Sequence, residues 1–258
     1  MDNSISRSSV SAPVANRRVS ASVELPSEIW REIAAVASAD LVLALRQVSR
    51  DMRSVVDSLD QADLNRINQG ADSTVDLYQF DGGVRSVTRD PETQRAMASD
   101  ENISPALQEF FVHSIDTHVR RHLARNPSLT SDARQEALAK DQDAFVRGAL
   151  AGNPSLTSDA RQERLAQDQD AGVRSRLALN RSLTSEARQE RLAQDQYAFV
   201  RSCLALNPSL TSEAGQERLA RDQDTEVRED LALNPSLTSA VKQILAQDQD
   251  EYVRRLLR

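Results

Sequence analysis

From Val119 onward the apolar positions of the chain recur on a fixed schedule. One stretch carries four large aliphatic residues, Val146, Leu150, Leu156 and Leu165. The same set returns as Val173, Leu177, Leu183 and Leu192, then as Val200, Leu204, Leu210 and Leu219. Units open at Val119, Val146, Val173, Val200 and Val227, each 27 residues after the one before. The last full unit is one residue shorter, ends at Tyr252 and is followed by Val253–Arg258. Upstream, Ala98–His118 follows the pattern in weaker form. There Ile103-Ser104 stands for Leu129-Thr130, Ser99-Asp100-Glu101 for Arg125-Asn126-Pro127, and Asp90-Pro91-Glu92 for the Asp-Gln-Asp that precedes each unit. A period of this length predicts a solenoid of stacked units, because four aliphatic side chains cannot form a closed core and each unit must share its interior with its neighbours.

Two helical pieces are predicted in each unit. Val146 and Leu150, at i and i+4, lie on one face of a first helix that Asp143 can cap. That helix should end at Asn153-Pro154, since Asn tolerates the left-handed C-terminal conformation and proline disfavours helix before it. After a Ser-Leu-Thr-Ser turn with Leu156 pointing inward, a second helix starts near Ser158-Asp159 and runs through Leu165 to Asp168.

A different pattern occupies residues 23–62. Pro26 suits a helix first turn and Glu28 the positive end of its dipole. Ile29, Ile33 and Val36 form one helical stripe; Ser38 is an N-cap candidate for a second helix with Leu41, Leu45 and Val48. A third would carry Met52, Val55, Val56 and Leu59. Three short helices in so few residues leave apolar surface for a partner or for the rest of the chain. Residues 63–89, which hold Gly82-Gly83, read as an irregular connector or a cap on the repeats.

Composition narrows the class to all-α. Among 258 residues there are one Trp, three Tyr, five Phe and seven Gly, too few aromatics and glycines for a large sandwich or barrel. The net charge of −7 argues against a nucleic-acid surface, and no apolar run approaches a membrane span. Cys203, the single cysteine, excludes an internal disulfide and any cysteine-built metal or iron–sulfur site, and points to a reducing compartment. No cofactor is expected.

The tail, residues 1–22, holds seven serines, with Arg7, Arg17 and Arg18 against Asp2, and lacks the apolar segment of a secretory signal. Its composition predicts disorder. It reads first as a floppy terminus, and otherwise as a transit peptide or as a sequence that resembles the Ser-rich secretion signals of bacterial type III effectors.

Two family resemblances follow from these residues. Leu25-Pro26-x-x-Ile29-x-x-x-Ile33, Asp40-Leu41 and Val48-Ser49-Arg50 resemble an F-box over about residues 23–57, with Met52 where that family usually has an aromatic. The resemblance implies that Leu25, Pro26, Ile29, Ile33, Leu41, Leu45, Val48, Ser49 and Met52 dock on a Skp-family adaptor of a cullin–RING ubiquitin ligase. From about residue 90 to 258, Val-Arg-x-x-Leu-Ala-x-Asn-Pro resembles the leucine-rich repeat variant (LRV) family. That implies a right-handed α-solenoid in which an α-helix and a short 3₁₀ helix alternate. Two departures, Asp-Gln-Asp for Asp-Pro-Asp and one extra residue, leave the second helix open between 3₁₀ and α.

Recurring polar residues read as internal. Arg120, Arg147, Arg174, Arg201 and Arg228, with Asp141, Asp168, Asp195, Asp222 and Asp248, should pair with each other or with carbonyls, and Asn126, Asn153, Asn180, Asn207 and Asn234 with loop backbone. Positions that diverge are the candidates for binding: Arg121, His122, Phe145, Arg176, Tyr197, Phe199, Cys203, Glu229, Asp230 and Tyr252. They occupy one place per unit and run from basic to acidic along the array. His118 and His122 have the spacing of metal ligands, but flanking arginines disfavour a cation and no metal is expected. No nucleophile–base set or Gly-rich phosphate loop appears, so the chain is expected not to be an enzyme.

Together these resemblances imply a non-catalytic substrate-recognition adaptor, secreted by a bacterium into the cytoplasm or nucleus of a host cell, or otherwise cytoplasmic. Its partners would be the Skp-family adaptor with its cullin–RING ligase, and a target protein on the repeats, with no nucleic acid and no membrane. The alternative is a stand-alone scaffold or inhibitor that binds a protein without any ligase.

Overall fold

The computed structural model describes Ala39, residues 56, 57 and 59, and the segments 61–68, 75–80 and 83–257. The docking residues Leu25 to Met52 and the tail lie outside them. The protein is mostly helical. Helix α1 (Gln61–Asn68) precedes an antiparallel hairpin of β1 (Val75–Phe80) and β2 (Gly83–Thr88). Helices then alternate between two layers. The first holds α2 (Pro91–Ser99), α4 (Thr117–Arg125), α6 (Ala144–Ala151), α8 (Ala171–Ala178), α10 (Ala198–Ala205), α12 (Thr225–Ala232) and α14 (Glu251–Leu256). The second holds α3 (Pro105–Val112), α5 (Asp132–Ala139), α7 (Asp159–Ala166), α9 (Glu186–Leu192), α11 (Glu213–Ala220) and α13 (Ser239–Leu245). Each helix packs on the one two places further along, so both layers are rows of consecutive helices.

Second-layer helices are α throughout: the extra residue gives each the seven or eight residues of a regular α turn pair. Val146, Leu150, Leu156 and Leu165 are fully buried, as are their counterparts in the neighbouring units, in one continuous apolar core. Asp116, Asp143, Asp170, Asp224 and Asp250 cap the first-layer helices through their carboxylates.

Within 63–89, which reads as an irregular connector or a cap on the repeats, the described residues 63–68, 75–80 and 83–88 are helix and strand. The strands are separated by Asp81-Gly82, a dipeptide that favours the tight turns of hairpins. The register pairs Val75 with Thr88 and Phe80 with Gly83. Leu77 is buried with Leu59, Leu64 and Ile67, whereas Val87 joins the core of the helical array, so the hairpin separates two apolar clusters. Asn68 fixes the outer edge of β1: its amide donates to the Leu77 carbonyl and accepts from the Leu77 N–H, both at 2.7 Å. On the other side the Gln94 amide donates to the Thr88 carbonyl at 2.8 Å, tying β2 to α2.

Three internal ladders hold the units in register. In the first, Arg120, Arg147, Arg174, Arg201 and Arg228 each grip the aspartate of the following loop with two parallel bonds, Nε to Oδ2 at 2.5–2.7 Å and Nη2 to Oδ1 at 2.8–3.2 Å. Nη1 of Arg147 donates to the carbonyls of Asp141 and Gln142 in the loop before its helix. One guanidinium therefore joins two consecutive inter-unit loops. Such pairs are charge-assisted and bidentate, and here both partners are almost fully buried.

In the second ladder the Asn153 amide donates across the unit boundary to the carbonyls of Ala124 and Asn126 at 2.8 and 2.9 Å, satisfying the open C-terminal end of α4, and its Oδ1 accepts from the Ser155 N–H. This role replaces the left-handed cap expected of asparagine. Asn126 has φ −66° and ψ 122°, the extended conformation that a residue before proline prefers. A third ladder, which sequence reasoning missed, runs through the second layer. Gln135, Gln162, Gln189 and Gln216 are buried, and each donates to a leucine carbonyl of its own unit and a serine carbonyl of the next; for Gln162 these are Leu156 at 2.8 Å and Ser182 at 3.1 Å. Glutamine is ordinarily a surface residue, but its recurrence three positions before Leu138, Leu165, Leu192 and Leu219 places it on the inward face.

Removing one partner of a buried pair leaves an uncompensated charge. Asp168→Ala should therefore cost about 3–5 kcal/mol in urea unfolding, while Asp168→Leu combined with Arg147→Met should recover most of it. Equal losses in the single and double variants would contradict this pairing.

Burial raises the carboxyl of Asp168, but hydrogen bonds from Arg147 and the Asp170 N–H, with the charges of Arg147 and Arg174, outweigh it and hold the group below its ordinary 3.8. The same balance holds for Asp195 and Asp248. A depressed folded value means stability that is complete above the unfolded value and lost as pH falls through the folded one. The urea midpoint should thus stay level from neutrality to about pH 5 and drop below about pH 4.

Candidate interaction surface

Helical periodicity decides which residues of the first layer face away from the core. In α6, Val146, Arg147, Leu150 and Ala151 point inward; the opposite face carries Phe145 and Gly152, which are exposed, and Gly148 and Ala149, which are buried. The equivalent face is Gly172, Ser175, Arg176 and Leu179 beside α8, Phe199, Ser202, Cys203 and Leu206 beside α10, and Glu226, Glu229, Asp230 and Leu233 beside α12. On α4 it is His118, Arg121, His122 and Arg125. The divergent residues thus fall on one stripe that crosses successive helices at one place in each.

Contacts between neighbouring helices organise its basic end. The Arg121 guanidinium lies over the Phe145 ring, 5.4 Å from its centroid. Arg176 leans back over α6, so that a Cβ added at Gly148 would stand 3.0 Å from the Arg176 Cδ. Arg125 has its pKa pushed down by burial and then by the nearby charges of Arg121 and Arg176. His122 Nδ1 sits 2.8 Å from Ser99 Oγ; burial first, then Arg125, Arg121 and Arg95, favour its neutral form. Its ring is thereby engaged with the first unit, and His118 stands exposed one turn away.

At the other end, burial raises the Asp230 carboxyl while Ser202 donates a hydrogen bond to it. The Cys203 thiol is pushed up by burial and by Asp230, which keeps it protonated and poorly nucleophilic. Exposed aromatics flank the stripe: Phe145 is 64% exposed, Tyr197 47%, Phe199 49% and Tyr252 55%. Tyr197 and Phe199 pack ring against ring at 5.8 Å, and the Arg174 guanidinium lies over Tyr197.

Two sets of residues on this face escaped sequence reasoning. Leu179, Leu206 and Leu233 recur at one position per unit, just before the ladder asparagine, and are exposed. Their recurrence was visible, but leucine was expected only in the seam; helix phase puts them outside. Arg125 was the other, standing where its neighbour unit has Gly152. Among the described residues no cluster of three histidine, cysteine, aspartate or glutamate side chains could hold a metal ion, and no helix is long and apolar enough to cross a membrane. No family model matches this chain, and no curated protein matches it significantly.

Tyr197 occupies the N-cap position filled by aspartate in the other units and makes no side-chain cap bond. Tyr197→Asp should therefore raise stability in urea unfolding by up to about 1 kcal/mol. A loss of stability would show that the aromatic contacts of Tyr197 outweigh the missing cap.

Proposed function

We propose that the chain is a non-catalytic adaptor, in which an F-box-like module over residues 23–62 binds a Skp-family protein of a cullin–RING ubiquitin ligase and an LRV-type, right-handed α-solenoid over 90–258 holds a target protein. The observation that carries this reading is the division of labour within the array. Recurring polar residues are consumed by inter-unit ladders, while non-recurring ones gather on a single exposed stripe with aromatics and both signs of charge. Surfaces of that composition are typical of protein recognition. The chain would contribute geometry, raising the local concentration of target near the ligase without an active site of its own. With a bacterial-type repeat, a eukaryotic-type docking motif and a Ser-rich tail, the reading extends to a type III effector acting in a host cell.

Binding of the full chain to a purified Skp-family protein in a pull-down tests the docking half. The wild type should be retained, and Leu25→Ala with Pro26→Ala should abolish retention. Failure of the wild type to bind, or binding indifferent to the double substitution, would favour a stand-alone scaffold or inhibitor.

A further inference from the structure

The stripe is electrically polar, and its charges are unspent. Arg121, Arg125 and Arg176 make no ion pair among the described residues, although arginines elsewhere in the array are mostly paired. They come from α4 and α8 and converge over α6, where Arg176 lies so close to Gly148 that a side chain there would meet its Cδ at 3.0 Å. Glu226, Glu229 and Asp230, on and beside α12, are likewise without an ion-pair partner among the described residues. Between the two groups the exposed side chains are apolar: Leu179, Phe199 and Leu206.

Like charges held close together without counter-charge cost free energy that an oppositely charged ligand recovers, and the two ends require opposite signs. Helix axes in contact lie about 8–10 Å apart, so the three steps from α6 to α12 span about 24–30 Å. An extended chain advances about 3.3 Å per residue and covers that distance in about eight residues.

We propose that the stripe binds an extended, dipolar segment of the target protein, with carboxylates over the three arginines, apolar side chains over Leu179, Phe199 and Leu206, and lysines or arginines against the acids of α12, the two charged blocks lying about eight residues apart. The inference rests on reading this stripe as the target-binding face and specifies the chemistry of what it takes.

The probes are fluorescent synthetic peptides added to the full-length protein: a glutamate block, a spacer of about eight alanine, leucine and serine residues and a lysine block; the reversed order; the same residues with charges interleaved; and peptides with glutamate or lysine at both ends. By anisotropy, the dipolar peptides should bind at least about tenfold more tightly than the interleaved one. Arg121→Glu, Arg125→Glu and Arg176→Glu together should shift preference to the peptide with lysine at both ends. Glu229→Lys with Asp230→Lys should shift it to the peptide with glutamate at both ends. These positions lie outside the core, so circular-dichroism melts should be unchanged, and the single Arg176→Gln should weaken dipolar binding without altering the fold.

Equal binding of the interleaved peptide, or preferences that do not follow the swaps, would overturn the proposal. So would a concentration-dependent dimer in sedimentation that the same swaps dissolve, since the stripe would then be covered by a second copy. A target whose binding is lost with Phe199→Ala and Leu206→Ala, but which presents one sign of charge only, would overturn the dipolar segment and leave the adaptor reading standing. Loss of Skp-family binding would do the reverse.

Discussion

A buried guanidinium must be fully partnered, and in this protein its partners lie in two units: a carboxylate in its own and backbone carbonyls in the one before. Arg147 is nearly inaccessible, and the carboxylate it grips is that of Asp168, 21 residues further along the chain. Asp168 in turn presents its backbone carbonyl to Arg174, which grips Asp195. A unit folded without the one before it keeps the ion pair but leaves one end of a buried guanidinium without acceptors. The asparagine and glutamine ladders repeat the logic with neutral groups, since each donates across a unit boundary to backbone carbonyls. Register between units is thereby specified by polar contacts, while leucine and alanine supply the bulk of the apolar core.

This constraint explains where variation is allowed. Residues at the inward positions of the first-layer helices are committed to the core or to a ladder, and changing one disturbs two units. Outward positions carry no such duty, and there the chain places Phe145, Arg176, Cys203 and Asp230 on successive first-layer helices. The scarcity of aromatics has the same origin. Within the regular units leucine, valine and alanine fill the interior, and Phe145, Tyr197, Phe199 and Tyr252 are left at the surface, where they add contact area without disturbing the ladders.

Much of this could be read from the chain itself. Recurrence of Val146, Leu150, Leu156 and Leu165 disclosed the unit, and the charge match of Arg147 with Asp168 disclosed its ladder. What escaped reading did so for physical reasons. Gln162 looks like a surface residue until its phase relative to Leu165 is weighed. Leu179 looks like a core residue until the end of α8 turns it outward. Asn153 reads as bonded to loop backbone, but the carbonyl it reaches lies 29 residues away, a pairing that no local rule contains. Val75–Thr88 carries the Asp-Gly of a hairpin in strands too short for their alternation to stand out against the helical pattern around them.

The account holds that recurring residues build the scaffold and diverging ones bind. Alanine scanning of the stretch from Val173 to Phe199, with urea unfolding and peptide binding measured on each variant, tests that division directly. Changes at Val173, Arg174, Leu177, Asn180, Leu183 and Gln189 should lower stability, and changes at Arg176, Leu179 and Phe199 should leave stability level and weaken binding. Stability losses of equal size in both groups, or binding that ignores the second group, would contradict it.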